Sequence, residues 1–262
     1  MVIPARNEAE SIGTTLDTLT ARLRRDGVAY EIVVVDDGSS DATGAEVEAR
    51  GAVDPGVRLV RNPGPHGFGY AVRYGLDAFT GDAVAIMMAD GSDSPDDLVR
   101  YHGVLEAGAE CAFGSRFVPG GAVVDYPRLK LIVNRLANFF IRVLFGIRFN
   151  DVTNAFKAYR AEVIEGCRPF LSPHFNLTVE LPLKAIVRGY SYEVVPIRWR
   201  QRRFGTSSLH IQEMGSRYLF IVLHVWLEKL LTRGDYHRSR VRPAVRIETS
   251  AGQVSPPGES AG

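Results

Sequence analysis

Three short polar clusters carry most of the chemistry this sequence can do. They are Pro4-Ala5-Arg6-Asn7-Glu8, Asp36-Asp37-Gly38-Ser39 and Ala89-Asp90-Gly91-Ser92-Asp93. Each follows a short apolar run, so each falls where a buried strand would emerge. Adjacent carboxylates at such a place suit a ribose diol, a base N–H or a divalent cation. A single Asp-Asp-Gly is also good turn chemistry, and the repetition at successive strand ends is what makes a ligand site the stronger reading. In open α/β sheets ligands bind beyond the carboxyl ends of the strands.

The elements that must position these clusters are legible in the periodicity. Met1 to Pro4 and Glu31 to Val35 are β-rich runs, and between them Ile12, Leu16, Leu19 and Leu23 recur at helical spacing over Glu8 to Arg25. That is a βαβ unit, which implies a parallel sheet with right-handed crossovers. Further strands are expected over Val57–Val60, Ala83–Met88 and Cys111–Ser115, with helices over Gly67–Phe79 and Asp96–Glu106. Asp93 and Asp96 are candidates to cap the latter helix, Asp96 the better of the two. The second half changes character. Helices are expected over Leu129–Gly146, Glu180–Arg188 and Arg217–Leu231, and a strand over Tyr192–Trp199. Residues 1–233 read as one domain, and 234–262, rich in Ser, Gly, Pro and Arg without periodicity, as a disordered tail.

Bulk properties exclude several classes. The chain has 262 residues, 45% hydrophobic and 23% charged, which is ordinary globular composition. A net charge of +1 argues against nucleic-acid binding through an overall positive field. Two cysteines, Cys111 and Cys167, cannot build a disulfide scaffold or a cysteine-rich metal site. The six histidines show no metal-ligand spacing. No G-x-G-x-x-G follows the first strand, which removes a Rossmann dehydrogenase. The opening Met1-Val2-Ile3-Pro4 reads as strand rather than as a secretion signal, and no apolar run reaches the ~18–20 residues of a spanning helix. A cytoplasmic location is therefore expected.

Taken together, Val2 to Glu8, Ile32 to Thr43 (IVVVDDGSSDAT), Gly67-Phe68-Gly69 with Ala71, and Ala89-Asp90 resemble glycosyltransferase family 2. Gly114-Ser115-Arg116-Phe117 with Gly120-Gly121, Asp151 to Arg160 (DVTNAFKAYR), Glu180, Val195-Pro196-Ile197 and Arg202 to Leu209 (RRFGTSSL) resemble its dolichol-phosphate mannose synthase branch, which includes bacterial polyprenyl-phosphate glycosyltransferases. The resemblance spans about residues 1 to 230. It implies an α/β GT-A fold, a Rossmann-like, mainly parallel mixed sheet flanked by helices, with C-terminal amphipathic helices. It also implies an inverting transfer of a hexosyl group from GDP-mannose or a UDP-hexose to a polyprenyl monophosphate, assisted by Mg2+ or Mn2+.

Position by position, the resemblance implies that Pro4, Arg6, Glu8, Asp36, Asp37, Gly67, Ala89 and Asp90 bind the nucleotide sugar. Arg6 stands where a tyrosine is common. Asp90 matches the second acid of the Asp-x-Asp metal motif, whose first acid is replaced by Met88; since magnesium accepts one or two carboxylates plus substrate phosphate, Asp90 alone could suffice, or be helped by Ser92 or Asp93. Arg116 and Arg202 match arginines that hold phosphates, with Asp90 completing the catalytic set. Arg128, Lys130 and Ser207 join Arg116 and Arg202 around the acceptor phosphate. Ser208 stands where the branch has lysine.

A phosphate monoester has its second pKa near ~6, so the acceptor is already largely a dianion at neutral pH and needs orientation more than a base. Two rivals stay open: a hydroxyl acceptor, for which Asp93 is the candidate base, and a non-catalytic sugar-nucleotide binder. Leu131 to Phe145, flanked by Arg128, Lys130, Arg142 and Arg148, has the composition of a helix lying in a bilayer interface. It is equally the composition of a helix buried against the sheet. On the first reading Phe139, Phe140 and Leu144 dip into lipid, residues 129–146 and 217–231 are interfacial helices, and the protein sits at the cytosolic membrane face.

Overall fold

The computed structural model describes residues 1–200 and 211–239. β1 (Val2–Ala5) and β2 (Ile32–Asp36) are buried at every position, as expected of central parallel strands covered on both faces. Their side chains alternate between two cores. Val2, Val33 and Val35 face one; Ile3, Ile32 and Val34 face the other, with Ile12, Leu16, Leu19 and Leu23 of α1 (Ala9–Arg25). β3 (Val57–Arg61) follows α2 (Thr43–Gly51) and flanks β2 in parallel. α3 (Phe68–Ala78) leads to β4 (Ala83–Ile86), which pairs in parallel with β1.

α4 (Pro95–Glu106) begins with Pro95 in its first turn, and its N-cap is Ser94, whose side chain accepts a hydrogen bond from the Asp96 N–H. This corrects the expectation that Asp96 or Asp93 caps the helix. The Asp96 carboxylate instead pairs with Arg22 at 2.5 Å.

After β5 (Cys111–Ser115) come β6 (Ala122–Val124), α5 (Arg128–Phe145), β7 (Lys157–Arg160), α6 (Ala161–Gly166), α7 (Leu177–Val187), β8 (Tyr192–Pro196), β9 (Arg198–Arg200) and α8 (Ile211–Leu231). The main sheet has the order β3-β2-β1-β4-β7-β5-β8, in which β7 runs antiparallel to both β4 and β5. This is the mixed, mainly parallel α/β sheet that the resemblance implied. The single strand expected over Tyr192–Trp199 is broken at Pro196, which has no N–H to continue the ladder. Beyond it β9 leaves the main sheet and pairs with β6.

Residues 234–239, where the tail was expected to begin, are among those described. The Arg238 N–H donates to the Arg188 carbonyl at 2.9 Å and its guanidinium pairs with Glu110, so the chain is tied back onto the sheet edge. Residues 240–262 lie outside the described residues.

α5 ends at Gly146, whose φ of 66° is the left-handed conformation of a glycine helix cap. Its inward side is buried at Asn138, Ile141 and Phe145, whereas Leu129, Ile132, Val133, Leu136, Phe139, Phe140 and Val143 are exposed. Leu144 packs against the core rather than outward. On α8, Phe220, Leu223, Leu227 and Leu231 are exposed along one face, and the Lys229 ammonium reaches the Phe145 carbonyl at 2.7 Å, joining the two helices. No helix among the described residues is long and apolar enough to cross a membrane.

Candidate active site

The loops after β1, β2, β4 and β5 meet at the carboxyl edge of the sheet. The first two are stitched together. Asn7 takes a positive φ of 55°, and its side-chain oxygen accepts from the Ser40 N–H at 2.8 Å while its own N–H donates to Ser39 Oγ. Glu8 is half-buried at the start of α1, its N–H donating to Thr43 Oγ1. Pro4 is buried and Arg6 exposed. Asp36 Oδ1 accepts from the Ser39 N–H at 2.9 Å.

Asp37 is the organiser of this side. It is 4% exposed; Oδ2 accepts from the Gly67 N–H at 2.7 Å, and Oδ1 accepts from Asn62 Nδ2 at 2.7 Å with His66 Nδ1 at 3.2 Å. Gly67 (φ 145°) and Gly69 must be glycines, because a Cβ would lie 2.9 Å from the Pro173 carbonyl oxygen at Gly67 and 2.4 Å from that of Ser172 at Gly69.

The segment they press against is itself pinned. Glu180, fully buried, accepts from the N–H groups of Leu171 and Ser172, each at 2.8 Å, and pairs with Lys184 at 2.7 Å. Burial alone would raise the Glu180 pKa, but Lys184 and these donors hold it below the usual value. Sequence reasoning named Glu180 only as part of a matching pattern. Its partners are Lys184 one helical turn on and two backbone N–H groups eight and nine residues back, whereas Asn62 reaches Asp37, 25 residues away, with no local signature.

Beyond β4, Thr15 Oγ1 donates to the carbonyl of buried Ala89 at 3.0 Å. Half-exposed Asp90 accepts from the Ser92 N–H at 3.0 Å. Asp93 turns inward, accepting from the Met88 N–H at 3.0 Å, and burial pushes its carboxyl up to about 7. Among the described residues no three acidic, His or Cys side chains gather as a metal cage. The donor set still fits a magnesium-like ion, which keeps several waters and takes one or two carboxylates plus substrate phosphate. Asp90 is the carboxylate on the open side. Ser92 and Asp93, proposed beside it from the sequence, are both buried.

On the β5 side, Arg116 is buried and bound bidentately to Asp151, Nε at 2.8 Å and Nη2 at 2.7 Å, with its N–H on the same carboxylate at 2.9 Å. The arginine thus enters the site as half of an oriented pair, not as a lone surface cation. Phe117, Tyr126 and Trp199 surround its guanidinium at 5.2, 5.7 and 5.9 Å from their ring centroids. Lys157 lies beneath the Asp151 loop, its ammonium donating to the carbonyls of Val152 (3.0 Å), Thr178 (3.2 Å) and Asn154. Burial pushes the Lys157 pKa down to about 7.

Arg128, exposed, and Lys130, half-exposed, occupy the first turn of α5, which contains no acidic residue. Cations there oppose the helix dipole, an arrangement that an anion at the same place would reverse. Arg202, Ser207 and Ser208 lie outside the described residues.

Residues 1–167 match the glycosyl transferase family 2. Over 215 residues, covering 80% of each chain, the sequence is 35% identical to a polyprenol monophosphomannose synthase of Mycolicibacterium smegmatis. It is 32% identical to an undecaprenyl-phosphate mannosyltransferase of Micrococcus luteus, over 79% of this chain and 86% of that one. Among solved structures, glucosyl-3-phosphoglycerate synthase from Mycobacterium tuberculosis, crystallised with Mn2+ and UDP, superposes with a TM-score of 0.66. That match covers 87% of this chain and 78% of the other at 22% identity, a likeness of fold.

Proposed function

Because the chain belongs to glycosyl transferase family 2, we propose that it moves a hexosyl group, with inversion, from GDP-mannose or a UDP-hexose to a polyprenyl monophosphate at a membrane surface. One observation carries the lipid-phosphate part of this reading. The exposed apolar stripe of α5 leads into Arg128 and Lys130, and the loop following that helix holds Asp151 against Arg116. A lipid lying along the stripe would present its phosphate to cations at the edge of the same site that gathers Asp37, Gly67 and Asp90. The relatives named as polyprenol and undecaprenyl-phosphate transferases agree with it.

The division of labour follows from charge. Asp36, Asp37 and Glu8, locked between the loops after β1 and β2, bind the nucleoside, and Gly67 lets the α3 turn close over it. Asp90 would hold a Mg2+ or Mn2+ ion, which when bound supplies positive charge to the departing diphosphate. An acceptor phosphate oxygen attacks the anomeric carbon from the face opposite that diphosphate; a new C–O bond forms as the sugar–diphosphate bond breaks. The monoester is already largely dianionic at neutral pH, so no carboxylate base is required. Arg116, fixed by Asp151, and Arg128, Lys130, Arg202 and Ser207 orient it; preorganised cations of this kind stabilise charge where it develops. Attachment is peripheral, on the cytosolic face.

The test is transfer of label from GDP-mannose, UDP-glucose and UDP-galactose to polyprenyl phosphate in vesicles, with and without EDTA. Turnover that needs divalent metal and is abolished in a folded Asp90→Asn variant is the expected result. Full activity in EDTA would remove the metal assignment. Transfer to a saccharide hydroxyl in preference to the lipid phosphate would replace the acceptor.

A further inference from the structure

α5 is anchored to the protein in two different ways along its length. Its C-terminal half is held by apolar burial, through Ile141 and Phe145. Between Arg128 and Phe140, by contrast, Asn138 is the one buried side chain, 1% exposed, and the apolar residues are exposed or half-exposed. Here the helix is attached by a polar cluster. Asn134 Nδ2 donates to Thr153 Oγ1 at 2.8 Å, Asn138 Nδ2 donates to the same oxygen at 3.1 Å, and the Thr153 N–H donates back to Asn138 Oδ1 at 3.3 Å.

Thr153 lies two residues beyond Asp151, the carboxylate that takes three hydrogen bonds from Arg116. The loop is tied by hydrogen bonds on either side of Thr153. The Asn154 N–H donates to the Asp151 carbonyl at 3.2 Å, Asn154 Nδ2 to the Gly114 carbonyl at 3.3 Å, and Thr178 Oγ1 to the Thr153 carbonyl at 3.3 Å.

From this geometry we infer that Asn138 and Thr153 are positioning residues, which transmit the membrane-docked orientation of α5 to the Asp151–Arg116 pair. The inference rests on α5 being the membrane-facing helix. Apolar burial would hold the helix against the body but tolerate sliding. Hydrogen bonds from two asparagines to one hydroxyl are directional, and inside a protein they fix one register. A shift of the N-terminal half of α5 on lipid must therefore be carried by Thr153 into the loop that aims Arg116, and the loop in turn holds α5 at the angle its ligands require.

The experiment compares the parent with Thr153→Val, which keeps shape and removes the shared acceptor, and Thr153→Ser, which restores it. Vesicles of phosphatidylcholine and phosphatidylglycerol containing polyprenyl phosphate are the probe. Thr153→Val should bind vesicles as the parent does and keep its KM for nucleotide sugar, while kcat falls roughly tenfold to a hundredfold, the scale of a misplaced positioning group. Thr153→Ser should recover most of the loss.

Amide hydrogen exchange reads the coupling without turnover. Vesicles should slow exchange in both α5 and residues 151–154 of the parent, and in α5 alone in Thr153→Val. Loop exchange indifferent to vesicles in the parent, equal protection in Thr153→Val, or a serine variant no better than valine would each overturn the inference. A parent that transfers nothing to lipid phosphate while its loop still responds to vesicles would refute the proposed acceptor and leave the coupling standing.

Discussion

Replacing Phe139 and Phe140 together by serine tests what the outer face of α5 is for. These rings are 62% and 47% exposed, so about half of each is available to enter lipid. Full burial of a phenylalanine side chain is worth roughly 1.5–3 kcal/mol. The two half-rings together therefore contribute about 1.5–3 kcal/mol to partitioning, or about a tenfold to hundredfold change in vesicle affinity at ~1.4 kcal/mol per decade. By the same reasoning the covered halves bound the cost to the folded protein at about 1.5–3 kcal/mol for the pair. Cosedimentation with sucrose-loaded vesicles measures the first quantity and thermal unfolding the second. Leu144→Ser is the opposite control: Leu144 packs on the core, so its loss should lower the melting temperature and leave vesicle affinity nearly unchanged. A loss of ~3–5 kcal/mol per phenylalanine, the cost of emptying a packed core, would mean that the stripe is covered by protein. Unaltered vesicle binding in the double variant would equally refute the argument.

Two further outcomes follow from buried charge. Asp151→Asn strips Arg116 of its counter-charge inside the protein, at a cost of about 3–5 kcal/mol; with ~2–4 °C per kcal/mol for a chain of this size, differential scanning fluorimetry should read a drop of about 6–20 °C, and a drop of only a degree or two would show that the pair is dispensable. Glu180 has a folded-state pKa below its usual 4.5, so its charge contributes stability that is complete above pH 4.5 and fades as the pH falls through the lower folded value. The melting-temperature gap between the parent and Glu180→Gln should then be widest above pH 4.5 and close on acidification below it; a gap independent of pH would assign the effect to packing instead.

The chain's own order of residues determined the side of the candidate site that gathers Asp36, Asp37 and Asp90. Valine and isoleucine runs that end in Asp36-Asp37 or Ala89-Asp90 encode both the buried strand and the carboxylate beyond it, because strand, turn and acid are contiguous. The amphipathic spacing of Ile12, Leu16, Leu19 and Leu23 likewise specifies its buried face without outside help. Tertiary structure decided the rest. β7 was not legible as a strand: Lys-Ala-Tyr-Arg at 157–160 is short and charged at both ends, and becomes central only because β4 and β5 flank it and backbone carbonyls receive the Lys157 ammonium. That Arg116 is buried and oriented by Asp151, 35 residues away, has no signal in the sequence around it. For α5, composition fitted a buried helix and an interfacial one equally well. Which face is open depends on what packs beneath it, and there Asn138 and Ile141 are buried against the body while Phe139 and Val143 are mostly exposed. Local propensity reaches a few residues along the chain; hydrogen bonds and ion pairs between distant segments exist only once the chain has closed on itself.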